Sequence, residues 1–203
     1  FETLHFSWYN RHCTTGHSAP TDVQPLMMNR AGLSRTNHAQ LIPYTSKDVA
    51  DYSTIYEKIK AVLDDVFAWI DKQVAHMLPS EYEHLSATAS LLPDNCASAV
   101  RPFVGLVINL NVSTLAHRDA KDDSICLVLA IGDFDGGELC LYEPGLLVPL
   151  RHGDFVVFPS CSVTHFNLCY TGQPASIVLH TDREMVKWRA EDRNGWKNNM
   201  DFL

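Results

Sequence analysis

A chain of 203 residues with 46% hydrophobic side chains can bury a sizeable core and falls within the range of one domain. Its formal net charge of -8 excludes a surface coated with lysine and arginine for nonspecific nucleic-acid binding, because neutralising phosphates takes clustered cations. It has no run of about eighteen apolar residues, and the opening FETLHFSWYNRH lacks the basic-then-apolar order of a secretory leader, so a soluble protein without a membrane partner is expected.

Residues 1–45 are rich in Pro, Thr, His and Asn without a sustained period, which predicts an irregular N-terminal arm. The abrupt start at Phe1 reads as a piece of a longer chain. From Ser46 the pattern changes. Tyr52, Ile55, Tyr56, Ile59, Leu63, Val66, Ile70 and Val74 recur at steps of three and four, with Ser46 as cap and Pro79 as stop. One long amphipathic helix is predicted, within a helical support spanning 46–99, its apolar stripe laid on the outer face of a sheet.

Beyond about residue 100 the character is β: FVGLVINLNV, SICLVLAIG, GELCLYE, GLLVPL, DFVVFPS, VTHFNLCY and ASIVLHTD, separated by Gly, Pro and Asp turns. Strands segregated after a helix predict an α+β fold whose core, residues 100–182, is a jelly roll. Residues 183–203 are predicted as a C-terminal helix or tail of the same domain. Its Arg189, Arg193 and Lys197 share a helical face, read as a solvated face or as a local basic patch. The six cysteines have no CxxC pairing and several sit in apolar runs, which points to a reducing intracellular compartment.

The chemistry concentrates in two stretches. In LNVSTLAHRDAKDD, an extended backbone points His117 and Asp119 the same way, so an imidazole and a carboxylate can meet at a common point. In FPSCSVTHFNLCY, alternation places Val163, His165, Asn167 and Cys169 on one face, expected to look into a barrel lumen. If the intervening strands fold back, His165 completes a set of two histidines and one carboxylate, which leaves three positions open on an octahedral Fe(II). The competing reading makes His165 a satisfied core histidine and pairs Asp119 with Arg118 or Lys121. His152, in RHGD, reads as a turn residue.

Taken together, HRD at 117–119, the turn GGEL at 136–139, EPG, LRHGDFVVFPS at 150–160 and THFN at 164–167 resemble the double-stranded β-helix core of 2-oxoglutarate- and Fe(II)-dependent oxygenases. The pattern is most similar to fungal members of the TET/JBP group, which oxidise methyl groups on nucleic-acid bases. The resemblance spans about residues 100–182. It implies a cupin-like double-stranded β-helix with the long helix packed outside, and Fe(II) held by His117, Asp119 and His165. It further implies an oxygenase that couples oxidative decarboxylation of 2-oxoglutarate by O2 to hydroxylation of a methyl group on a DNA base, of the 5-methylcytosine or N6-methyladenine type. A monomer is expected, intracellular, and nuclear if the family resemblance holds.

In that superfamily a basic residue on the last core strand anchors the far carboxylate of 2-oxoglutarate, usually with Ser or Thr two residues later. Here Ser176 is present, but Pro174 stands where the basic residue is expected, and proline offers neither charge nor donor. Residues 174, 176, 178 and 180 share a strand face, so His180 joins Ser176 as a candidate cosubstrate contact. Asn109 is a further candidate, on the same face of the opening strand as Asn111. Arg101, Arg151 and Arg183 are alternative sources of charge. Trp8, Tyr9, the loop 118–123 and the C-terminal basic face are the elements expected to meet DNA. Asp122 and Asp123 are read as solvated loop charges or as substrate contacts. Three other functions stay open: a small-molecule or protein hydroxylase of the same fold, a degenerate oxygenase that binds nucleic acid or protein, and a cupin-like metal-binding module.

Overall fold

The computed structural model describes residues 2–9, 43–92 and 96–190. Most of the expected arm, residues 10–42, and the tail carrying Arg193 and Lys197 lie outside them. The described elements run β1 (Glu2–Tyr9), β2 (Tyr44–Thr45), α1 (Lys47–Asp51), α2 (Ser53–Met77), α3 (Pro79–Ala89), β3 (Gly105–Leu110), β4 (Cys126–Gly136), β5 (Leu139–Leu141), β6 (Leu146–Val148), β7 (Phe155–Phe158), β8 (His165–Asn167), β9 (Tyr170–His180) and α4 (Arg183–Ala190). Among these, no helix is long and apolar enough to cross a membrane.

The strands form a larger sheet, β2-β1-β3-β9-β4-β7, and a smaller one, β6-β5-β8. All named pairings are antiparallel. This is the expected α+β jelly roll, with one difference at its start. The sequence ETLHFSWY was expected to be irregular, but it forms an eight-residue strand paired with β3 from Glu2↔Leu110 to Ser7↔Gly105. Its alternation explains why. Leu4 and Phe6 turn to the hydrophobic core while Thr3 and His5 turn to the interior of the roll.

The same period sorts the central strands. Leu106, Leu127, Leu129, Ile177 and Leu179 face outward into one buried cluster with Phe67, Ile70 and Val74 of α2, whereas Val107, Val128 and Val178 face the opposite way, toward the inter-sheet cavity. The long helix therefore lies on the outer face of the larger sheet, as its apolar stripe requires. It is not a single helix from Ser46 to Pro79. Tyr52, at φ -119° and ψ 33°, separates α1 from α2. Pro79 ends α2 and also opens α3 at its first turn, where the missing N–H has no helical partner to lose.

A second cluster joins Ala89, Leu92, Val104 and Met185 with Trp8 packed against it. Trp8 was expected among DNA-facing residues; its indole instead closes the seam between β1, α3 and α4. Met185 and Trp188 bury the inner face of α4, and Arg189 donates to the His84 carbonyl at 3.2 Å. That arginine is tied to α3.

Candidate metal centre and cavity

The two sheets enclose a cavity of about 610 Å³. One wall is the inner face of the larger sheet, including His5, Val107, Asn109, Val128, Ser176 and His180, and the other includes Leu139, His165 and Asn167 from the smaller sheet. A volume of this size lies in the usual range for small-molecule sites.

His117 lies on the loop between β3 and β4 and makes an isolated antiparallel bridge with His165, the first residue of β8. Each backbone N–H donates to the other residue's carbonyl, at 3.1 and 2.9 Å. The pairing places the two imidazoles side by side, ring centroids 4.3 Å apart. Asp119 follows two residues later, its N–H donating to the Ser160 carbonyl at 3.1 Å. Its carboxylate approaches His165 Nε2 at 3.4 Å and His117 Nε2 at 3.8 Å. One ligand atom from each of the three residues lies within 4.8 Å of the others.

The orientation of the rings is as telling as the distances. His117 Nδ1 donates to the Leu115 carbonyl at 2.7 Å and His165 Nδ1 to the Val163 carbonyl at 3.0 Å. A carbonyl can only accept, so Nδ1 carries the proton in the neutral ring and the Nε2 lone pair is turned toward Asp119. This is the arrangement by which proteins fix a metal-binding imidazole. Burial is the largest influence on both charges: it pushes Asp119 up and His165 down. Their mutual hydrogen bond and charge interaction win, leaving Asp119 below the ordinary carboxylate value and His165 above the ordinary imidazole value. Two imidazoles and a carboxylate on one face, with the remaining directions open to a cavity, suit Fe(II).

Behind this triad runs a buried polar chain. The Ser160 hydroxyl donates to Asp122 at 2.9 Å, Asp122 accepts from His180 Nδ1 at 3.2 Å, and His180 Nε2 meets the Ser7 hydroxyl at 3.3 Å. Asp123 pairs with His84 at 2.6 Å. Neither acid is a solvated loop charge or a free substrate contact, as the sequence reading had it. His180 does enter the cavity with Ser176, but protein groups occupy both ring nitrogens. Room for the ring comes from Gly105, where a Cβ would sit 2.4 Å from His180 Nε2. Gly105→Ala is thus expected to displace the imidazole and cost about 1–3 kcal/mol, as overpacking does elsewhere. Urea unfolding of the two proteins measures it, and equal midpoints would mean the ring has space to spare.

Asn109 and Ser176 face each other across β3 and β9, Asn109 Nδ2 donating to Ser176 Oγ at 3.3 Å, and both line the cavity. Asn111 falls just beyond β3 at φ 54°, a turn conformation asparagine tolerates. None of the three arginines named as alternative anchors lines the cavity. Arg101 lies toward Asp71 and the Tyr82 ring, Arg151 donates its backbone N–H to the Asp154 carboxylate in an exposed turn, and Arg183 opens α4 on the exterior. The lining cations are Arg118 and Lys121. Arg118 is engaged by Glu143, at 2.5 Å, and by Thr164. The Lys121 carbonyl accepts from the Arg183 N–H at 2.8 Å, while its ammonium has no hydrogen bond or ion pair among the described residues. Sequence reasoning had Lys121 only as a possible partner of Asp119 or as part of a DNA-facing loop, and Glu143 only as the first residue of EPG, and gave neither a part in the site.

Glu143, on the turn between β5 and β6, accepts from the Thr164 N–H and hydroxyl, each at 2.6 Å, as well as from Arg118. These bonds, those of Thr164 foremost, hold its carboxyl down to about 2.

No protein-family model matches the chain, and no curated protein matches it either. Solved structures do. NgTET1 in complex with 5mC DNA superposes with a TM-score of 0.61 at 13% identity, over 89% of this chain and 61% of that one. This chain thus spans about three fifths of the length of that neighbour. A 2OG-Fe(II) oxygenase family protein from Burkholderia pseudomallei matches at 22% identity over 40% of this chain and 47% of its own, TM-score 0.35. A cupin 2 barrel protein from Salinispora arenicola matches at 20% identity over 49% and 78%, TM-score 0.34. In its fold the chain is similar to NgTET1.

Proposed function

We propose that this chain is an Fe(II)- and 2-oxoglutarate-dependent dioxygenase that hydroxylates a methyl group on a DNA base. The observation that carries the reading is the convergence of His117, Asp119 and His165 with both Nδ1 atoms pinned, at the wall of a cavity far larger than the ion needs. Fe(II) held there with 2-oxoglutarate supplies dioxygen activation and succinate-forming decarboxylation, chemistry that belongs to the metal and cosubstrate. The chain's own part is to fix three ligands, exclude water and hold the target carbon nearby.

For the cosubstrate, Asn109 and Ser176 offer hydrogen bonds on β3 and β9, and Lys121 offers charge from the loop after the triad. Lys121 stands in for the strand cation that Pro174 replaces. A base in duplex DNA must leave the stack to reach the triad, and the cavity has room for a flipped base beside a small dicarboxylate. Tyr9 and Tyr170 among the lining side chains give such a base aromatic surfaces to meet.

A second reading, a degenerate oxygenase that binds without turnover, is favoured by one observation: β9 carries no lysine or arginine. Succinate formation decides between them. Purified protein with Fe(II), 2-oxoglutarate and methylated DNA is expected to release succinate and hydroxymethylated base. Metal binding without succinate would favour the second reading.

A further inference from the structure

We propose that Glu143 is a positioning residue for the triad, clamping the loop that carries His117 and Asp119 onto the strand that begins with His165. This rests on the metal reading of the three residues.

The loop needs such a device. His117 and Asp119 lie outside every named strand, and a single isolated bridge connects them to the smaller sheet. Arg118, the residue between the two ligands, donates from Nε to Thr164 Oγ1 at 3.0 Å. Thr164 precedes His165 directly. Glu143 closes the triangle by accepting from both, with one carboxylate oxygen shared between the guanidinium and the hydroxyl and the other on the Thr164 N–H. The neighbours of all three ligands are therefore held by one carboxylate.

That carboxylate sits on a tight turn between β5 and β6, where Gly145 N–H donates to the Tyr142 carbonyl at 3.1 Å and Tyr142 N–H to the Thr164 carbonyl at 2.9 Å. The support is short and doubly tied. The Arg118 and Glu143 side chains are substantially exposed, and exposed ion pairs contribute little to folding. What the fork between an arginine and a carboxylate does provide is direction. A ligand displaced by a fraction of an ångström loses metal affinity long before the fold loosens.

The test is titration of Mn(II) or Co(II) into the metal-free protein, without cosubstrate or DNA, alongside thermal melting of the same metal-free samples. Glu143→Ala is expected to weaken metal binding about tenfold, the lower end of what changes around a ligand usually cost, with a melting temperature within a degree or two of the parent. Glu143→Gln keeps the shape and one of the two acceptor oxygens and should recover part of the lost affinity. Equal losses for Gln and Ala would overturn the clamp, because simple removal of a negative charge would then account for the effect. An unchanged affinity for Glu143→Ala would overturn it alone, while failure of the parent protein to bind either ion would overturn the metal reading along with it.

Discussion

His165→Ala is expected to abolish metal binding and turnover while the protein remains folded. The ring of His165 meets Phe158 edge-on at 4.9 Å and the Asp119 carboxylate at 3.4 Å, but the link to His117 runs through its backbone, which alanine retains. Losing one of three ligands should exceed the tenfold to hundredfold penalty seen when only a ligand's supports are changed. Metal titration followed by circular dichroism measures both halves. Retained affinity in this variant would remove His165 from the site.

The same pair sets the pH response. His165 holds its proton above the ordinary imidazole value, and a metal must displace that proton, so affinity should weaken as pH falls through the raised value. In the metal-free protein, the stabilisation from His165 is fully present below the ordinary imidazole value and fades as pH rises through the raised one. That from Asp119 is present above the ordinary carboxylate value and fades as pH drops through its lowered one. The ion pair therefore supports the empty site in the window between them, where a metal competes with it.

Leu127→Ala is the second large effect. Leu127 is fully buried on β4, between Val157 of β7 and Leu179 of β9, in the cluster shared with Phe67, Ile70 and Val74 of α2. Truncation should cost about 2–5 kcal/mol through lost burial and the cavity left behind. Against a total stability of about 5–15 kcal/mol this is a large fraction, readable as a lower urea midpoint. Leu115→Ala supplies the contrast: at 91% exposure its midpoint should not move. Similar shifts for the two would mean that the helix and sheet are not packed as described.

Much of this architecture was visible along the chain because it depends on period. Alternation through ASIVLHTD places Ser176, Val178 and His180 on one side, and steps of three and four mark the stripe of α2. What escaped notice depends on partners distant in sequence. ETLHFSWY alternates as a strand should, but its partner is β3, and eight residues flanked by a Pro-rich stretch give no sign of it. Asp122 reads as one charge in a charged loop until His180 and Ser160 arrive from elsewhere. Glu143 belongs to an ordinary turn in the sequence, and its role needs Arg118 and Thr164 brought within reach. Pro79 was a correct boundary assigned half its meaning, since proline at the first turn of a helix begins one as readily as it ends another.

The pairing of β1 with β3 bears on how the protein is made. β1 meets β3 across roughly a hundred residues of chain, and closing so long a loop carries an entropic penalty that few early contacts offset. The strands β4 to β9 pair with one another over shorter separations, about fifty residues at most, and can associate beforehand, so the side of the chamber bearing Thr3 and His5 is among the last parts assembled. Until then a newly synthesised molecule has His117, Asp119 and His165 beside an open trough, unable to enclose a ligand.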